Sequence, residues 1–316
     1  MRCDLEVVLA TYNGAQYLAE QLSSLARQKL LPSRLLVADD GSSDQSVACV
    51  DAFAKTAPFP VVWISQEPTG GPRTNFSRLL AATSAEYVAL CDQDDCWDAD
   101  KLARSMARLQ VMAQRHGAKV PLCVHGDLRV VDAQGMEMSS SLHRWRRVYP
   151  PRDQQFRRML YRSVLWGCTM VVNRSLIDLA LPIPPTAVMH DYWLALVASG
   201  FGKIGCEPSA RISYRFHGGN VTESGAVPRE ISGRITYAAA RLARRRHNLR
   251  TLRQQATTFA ERYGNRPDFH DHPAVQAALR CASHAHMSAL ARRLDLLKGD
   301  FLGPQISRII TGLVIA

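Results

Sequence analysis

The run Tyr87-Val88-Ala89-Leu90-Cys91-Asp92-Gln93-Asp94-Asp95-Cys96-Trp97 decides how this chain is read. An apolar stretch suited to a buried strand stops abruptly at three carboxylates within four positions. Like charges this close oppose one another unless a cation sits among them, and a divalent ion with oxygen ligands is the usual remedy. A solvated acidic turn is the plain alternative, but Asp92 and Asp94 follow directly on residues typical of a sheet core. The run predicts a metal-binding loop at the end of a buried strand.

Upstream the pattern repeats. Leu5 to Ala10 reads as a strand, followed by the loop Thr11-Tyr12-Asn13-Gly14 and a helical pattern from Ala15 to about Gln28. Arg34 to Ala38 is a second strand, ending in Asp39-Asp40-Gly41-Ser42-Ser43-Asp44 before a helix through Ala54. Val61 to Ser65 supplies a third, and the loop Glu67-Pro68-Thr69-Gly70-Gly71-Pro72 opens a helix carrying Asn75, Phe76, Leu79 and Leu80. Short apolar strands alternating with helices predict an α/β fold, a mostly parallel sheet sandwiched by helices. Parallel strands point their C-terminal ends one way, so both acidic loops fall on the edge where open sheets bind ligands. Helix capping accounts for Ser43 and Asp44 but not for Asp39 and Asp40.

Downstream, Asp100 to Gln114 is helical, and Leu122 to Val131 contains the polar interruption His125-Gly126-Asp127. Ser139 to Arg158, rich in arginine and aromatic residues, reads as a mobile loop. Leu165 to Val172 restores a strand pattern, Asp191 to Ser199 a short helix, and residues 207–228 a glycine-containing loop. Long helical patterns follow, dividing the chain into an α/β domain over 1–228 and a basic helical extension over 229–316. A length of 316 residues accommodates both.

Formal net charge is +11, and residues 229–316, with 15 Lys+Arg against 6 Asp+Glu, hold +9 of it. The run Arg241, Arg244, Arg245, Arg246 and the apolar segment Ile306 to Ala316 belong to this part. They read either as a solvated helical hairpin or as an attachment to the anionic cytoplasmic face of a membrane. Eight cysteines without paired short spacings argue against a disulfide framework or zinc ribbon and suit a reducing cytosol. Neither a signal-peptide pattern nor an apolar run long enough to span a bilayer is present, which predicts a soluble or peripheral cytoplasmic protein. No Gly-x-Gly-x-x-Gly follows the first strand and no Walker loop occurs, which weakens the dehydrogenase and P-loop readings.

Thr11-Tyr12-Asn13-Gly14, Asp39-Asp40-Gly41-Ser42-Ser43-Asp44, Asn75-Phe76, Asp92-Gln93-Asp94-Asp95-Cys96-Trp97, Gly167-Cys168, His190-Asp191 and Tyr214-Arg215-Phe216-His217-Gly218-Gly219-Asn220 follow in an order and spacing that resembles the family 2 glycosyltransferases of GT-A fold. The likeness covers roughly residues 4 to 222. The Asp-Gln-Asp-Asp-x-Trp form, His190-Asp191 before Tyr192-Trp193, and the Tyr-Arg-x-His-x-x-Asn ending are similar to bacterial rhamnosyltransferase-type members. Phe216 departs from them, standing where many carry a polar residue.

The resemblance implies a GT-A, Rossmann-like nucleotide-binding sheet and metal-dependent, inverting sugar transfer. The implied reaction moves L-rhamnose from dTDP-rhamnose, or another sugar from a UDP donor, to a hydroxyl of a cell-surface polysaccharide or lipid-linked saccharide precursor. A divalent ion, Mg2+ or Mn2+, offsets the charge of the departing diphosphate. Carried over by position, Asp94 is the metal ligand and His217 an additional one, while Asp92 contacts the ribose or shares the metal through water. Asp40 accepts the imide N–H of uracil or thymine, Tyr12 lies against the base, backbone groups of Thr11 or Ala10 border it, and Arg73 approaches the diphosphate. Asp191 is the implied base, a carboxylate that a helix N-terminus keeps ionised. Trp166, Gly167 and Trp193 face the acceptor, the tryptophans offering flat surfaces to a sugar.

Two other classes compete. A sugar nucleotidyltransferase needs a glycine-rich, Arg/Lys-bearing loop after the first strand, and Thr11-Tyr12-Asn13-Gly14 has neither feature. An interaction protein would use the basic arm on membrane or nucleic acid; intact Asp94 and Asp191 argue against it, and no nucleic-acid partner is expected. Oligomeric state is not legible.

Overall fold

The computed structural model describes residues 4–148, 150, 155–217 and 231–282, with side chains from 248 onward in the last stretch. The chain runs β1 (Leu5–Thr11), α1 (Ala15–Ala26), β2 (Arg34–Asp39), α2 (Ser46–Ala54), β3 (Val61–Ser65), α3 (Pro72–Ala82), β4 (Tyr87–Cys91), β5 (Cys96–Trp97) and α4 (Lys101–His116). It continues through β6 (Leu122–Gly126), β7 (Arg129–Val131), β8 (Glu137–Ser139), α5 (Leu142–Arg146), α6 (Gln155–Met159), β9 (Val171–Asn173), α7 (Arg174–Ala180), α8 (His190–Phe201), β10 (Lys203–Glu207) and β11 (Ile212–Arg215). Two further helices are α9 (Ile231–Gly264) and α10 (Pro273–Ala282).

Seven strands form one sheet in the order β10-β6-β9-β4-β1-β2-β3. Only β9 runs antiparallel to its neighbours. The central strands read as unbroken Val/Leu/Ala runs because helices cover both faces. Leu5, Val7, Val8, Leu9, Leu35, Leu36, Val37, Val88, Ala89 and Leu90 are accordingly all buried. The expected arrangement holds: β1, β2 and β4 are parallel neighbours, so the loops after them open on one edge.

A second sheet, β5-β11-β7-β8, was not legible as such. The stretch Leu122 to Val131 divides at its polar interruption, and its halves β6 and β7 enter different sheets. Asp127 is the reason: its carboxylate accepts the N–H groups of Leu128 (2.8 Å) and His143 (3.2 Å) and the Ser141 hydroxyl. The expected mobile loop Ser139 to Arg158 is also corrected, for β8, α5 and α6 occupy much of it. Ser141 caps α5 by accepting Arg144 N–H at 3.1 Å, and Leu142 is fully buried. Leu165 to Val172 is strand only from Val171; a 3-10 turn over Gly167–Thr169 precedes it.

Two compact units result. The first holds both sheets. The second gathers Phe156–Arg162, Thr186–Val188 and the residues from 231 on. In it, Ala256, Phe259, Ala260 and Tyr263 of α9 and Val275, Ala278 and Cys281 of α10 are buried, with the Phe259 and Tyr263 rings 4.7 Å apart. The expected boundary between 228 and 229, the side chains of Arg241 to Arg246, and Ile306 to Ala316 lie outside the described residues. No helix among the described residues is long and apolar enough to cross a membrane.

Candidate active site

Three loops meet on the sheet edge after β1, β2 and β4. Asp39 and Asp40, adjacent at the end of β2, do different work. Asp39 is buried, accepting the Thr11 hydroxyl at 2.7 Å and Ser42 N–H at 2.6 Å. Asp40 is half-buried, and its Oδ1 accepts the Thr69 hydroxyl (2.8 Å), Thr69 N–H and Gly70 N–H (3.2 Å). One oxygen is thereby anchored to the loop before α3, while Oδ2 accepts no hydrogen bond among the described residues. Thr11 is buried; its hydroxyl donates to Asp39 and its carbonyl accepts Asp40 N–H at 2.8 Å, which ties the ends of β1 and β2 together. Arg73 lies partly exposed in the first turn of α3.

Tyr12 presents its ring outward, 56% exposed. Its backbone is gripped by a residue that sequence reasoning passed over. Gln93 accepts Tyr12 N–H at Oε1 (2.8 Å) and donates from Nε2 to Tyr12 O (2.9 Å), joining the loop after β4 to the loop after β1. Gly14 makes room for this grip, since a Cβ there would collide with Gln93 Oε1. The signal lay inside the acidic run, where an amide is the one side chain able to donate and accept together.

Asp94 lies 3.0 Å from His217 across two loops, His217 Nε2 to Asp94 Oδ2, both side chains partly exposed. Strand pairing brings them together. β11 runs antiparallel to β5 with Ile212 opposite Trp97 and Ser213 opposite Cys96, and the same register carried on sets Arg215 opposite Asp94. Arg215 then fixes the late loop: it is buried, donates from Nε to Asp94 O at 3.2 Å, and pairs with Glu20 at 2.6 Å. This role too was missed, although Arg215 stands within a quoted motif. Phe216, the departure from the resembling enzymes, packs edge-on to Trp145 at 5.2 Å. Gly218 to Asn220 lie outside the described residues.

A carboxylate and an imidazole at this distance, both reachable from solvent, form a donor set suited to a divalent ion. Asp92, Asp95 and Cys168 also bring ligand atoms within 4.8 Å of one another. Burial, reinforced by neighbouring carboxylates, pushes the Asp95 carboxyl and the Cys168 thiol toward their protonated forms, which makes that trio the poorer cage. Asp92 is pushed up to about 8, first by burial, then by the charges of Asp94 and Asp191.

Asp191 lies in the first turn of α8, half-buried. Its Oδ2 accepts Gly167 N–H at 2.9 Å and its Oδ1 accepts Tyr192 N–H at 2.6 Å. Burial outweighs these donors and lifts its carboxyl to about 6, which still leaves it mostly ionised at neutral pH. Gly167 is closely packed: a Cβ there would come within 3.1 Å of His190 Nε2 and 3.2 Å of Asp191 Cβ, so these neighbours would have to give by a few tenths of an ångström. His190 itself is buried and stacked on Phe76 at 3.9 Å. Trp166, next to Gly167, is half-exposed and leans on His143 at 5.0 Å, whose Nδ1 is 3.1 Å from Asp127. Trp193 is the clear correction: fully buried, with its indole N–H given to Ala180 O at 2.9 Å, it has no face to offer a sugar. α8 is apolar nearly all round, so its tryptophan faces core.

Comparison with known proteins gives the same picture at family level. The family model described as Glycosyl transferase family 2 matches residues 6–179. An uncharacterized protein of Mycobacterium bovis is 27% identical over 231 residues, 71% of this chain and 62% of its own length. This chain thus spans about three-fifths of the length of the mycobacterial relatives it matches. The dTDP-rhamnosyl transferase RfbG of Shigella flexneri is 32% identical over 102 residues, 31% of this chain and 35% of that protein. Among solved structures, the mannosyltransferase PcManGT from Pyrobaculum calidifontis, in complex with GDP-Man and Mn2+, superposes with a TM-score of 0.55 at 20% identity, covering 100% of this chain and 81% of its own. The sheet order, the carboxylate-bearing loops on its edge and the family match over more than half the chain agree: this protein belongs to glycosyl transferase family 2 and has the GT-A fold.

Proposed function

We propose that the chain is a metal-dependent, inverting glycosyltransferase that moves L-rhamnose from dTDP-rhamnose to a hydroxyl of a cell-surface polysaccharide or lipid-linked saccharide precursor, at the inner face of the cytoplasmic membrane. The observation that carries the reading is Asp191: a carboxyl held by two backbone N–H groups, close enough to Asp92 to raise its pKa, and itself lifted to about 6. The local match to a dTDP-rhamnosyl transferase supports the choice of sugar.

In this reading Asp40 Oδ2 accepts the imide N–H of thymine, and the Tyr12 ring lies against the base. Asp94 and His217, with Asp92 beside them, would hold Mg2+ or Mn2+, which offsets the charge gathering on the departing diphosphate. Asp191 takes the proton of the acceptor hydroxyl as that oxygen forms its bond to the anomeric carbon and the bond to the diphosphate breaks. A single displacement inverts the centre, so a β-L donor gives an α-L linkage. Trp166 offers the acceptor its exposed face.

Uracil presents the same imide to Asp40, so UDP-sugars are the second donor class to examine. The test is a panel of dTDP-, UDP- and GDP-sugars with Mg2+ or Mn2+, read as sugar-nucleotide hydrolysis and as binding. Metal-dependent turnover of dTDP-rhamnose above the others is the expected result. Absence of metal-dependent turnover or binding with every donor refutes the proposal.

A further inference from the structure

The second unit contains a cavity of about 390 Å³ lined by Thr186, Arg250, Arg253, Gln254, Thr257 and Thr258. Every lining side chain can donate a hydrogen bond, two are cationic, and none is a carboxylate. Arg250, Gln254 and Thr257 stand at i, i+4 and i+7 on one face of α9, and their side chains have no hydrogen-bond partner among the described residues. Arg253 is oriented by its Nε, which donates to Ala282 O at 2.6 Å. Thr186 donates to Thr258 at 2.8 Å, which leaves the Thr258 proton available. Solvated arginines on a helix surface need no concavity, and they are commonly accompanied by acids. Here Arg250, Arg253 and Gln254 are exposed, and the residues lining the concavity gather donors and positive charge with no carboxylate among them.

We propose that this cavity binds a phosphate-class oxyanion, the phosphate or diphosphate group of a larger ligand. Guanidinium forks and hydroxyls are the groups that match phosphate oxygens. Thr186 stands five residues before Asp191 in the sequence. A saccharide acceptor that carries a diphosphate is one ligand of this class. The oxyanion site stands without the transferase reading; its assignment to the acceptor rests on it.

The full chain is titrated with inorganic pyrophosphate in metal-free buffer, then mixed with phosphatidylcholine vesicles with and without a polyprenyl diphosphate. Arg250→Gln should weaken pyrophosphate binding about tenfold and Thr257→Val to a lesser extent. Arg115→Gln, which removes the same charge from an exposed position on α4, should leave it unchanged. Vesicle binding that depends on both the diphosphate lipid and Arg250 identifies a lipid-borne ligand; binding of pyrophosphate alone identifies a soluble one. No pyrophosphate binding, or equal losses in Arg250→Gln and Arg115→Gln, overturns the proposal. Donor hydrolysis is measured separately, so failure of the cavity and failure of the transferase reading leave different records.

Discussion

Asp191 meets two opposing influences. Its place in the first helical turn and its two backbone donors favour the charged form, and burial disfavours it. Burial wins, lifting the carboxyl to about 6. The sign of the activity profile follows: the base is occupied by a proton below that pH and free above it. Transfer should fall on the acid side with an apparent pKa near 6. Asp191→Asn should keep nucleotide binding and lose about 100- to 10,000-fold in transfer, the range expected for general-base catalysis. Normal transfer by that variant would remove Asp191 from the role. The acid was readable from His190-Asp191-Tyr192-Trp193, but its pKa was not, because burial depends on helices far away in sequence. Trp193 failed for a related reason: a motif gives order along the chain and not the side of the helix that faces core.

At the scale of elements, the sheet edge is assembled by loops that hold one another. The Gln93 amide carries Tyr12 by two hydrogen bonds, so the ring's attitude depends on the loop that also carries Asp94. Two such bonds are worth about 1–3 kcal/mol. Gln93→Ala should raise the donor KM about tenfold with little change in kcat. Gln93→Ala combined with Tyr12→Ala should be no worse than Tyr12→Ala alone, whereas additive losses would show that Gln93 acts elsewhere. Gly14→Ala, by displacing the same amide, should resemble Gln93→Ala. The strands flanking this edge were legible because buried parallel strands announce themselves as apolar runs. β7, β8 and β11 were not, being short, half-polar pieces whose pairing is set by partners distant in sequence. The arginine-rich stretch around α5 misled for the same reason, since its anchor Leu142 and its cap Ser141 are single residues in a polar context.

For the molecule as a whole, Asp127 ties β6 of the large sheet to β7 of the small one and to α5. Burial opposes its charge, but hydrogen bonds from His143, Ser141 and backbone N–H groups prevail and hold it down to about 2. A carboxylate depressed in this way contributes stability above the usual carboxylate pKa and loses it as pH falls through 2. Asp127→Asn should therefore cost about 2 kcal/mol at neutral pH by denaturant unfolding, with the difference from the parent closing in strong acid. An equal cost at every pH would mean that the side chain matters by shape alone. Charge at this scale was legible from composition: +9 of the net +11 lies in residues 229–316. The cavity beside Arg250 was not, since it needs Thr186, distant in sequence, to close its wall.

Gly167 and Tyr192 hold the Asp191 carboxylate from both ends. A group pinned at both oxygens cannot swing to meet whichever hydroxyl is nearest, so in the proposed reaction no reorganisation of Asp191 would accompany proton removal, and none would correct a misplaced substrate. Regiochemistry then rests on how the acceptor is seated. An acceptor lacking the right hydroxyl at that point should give no product rather than a mixture of linkages.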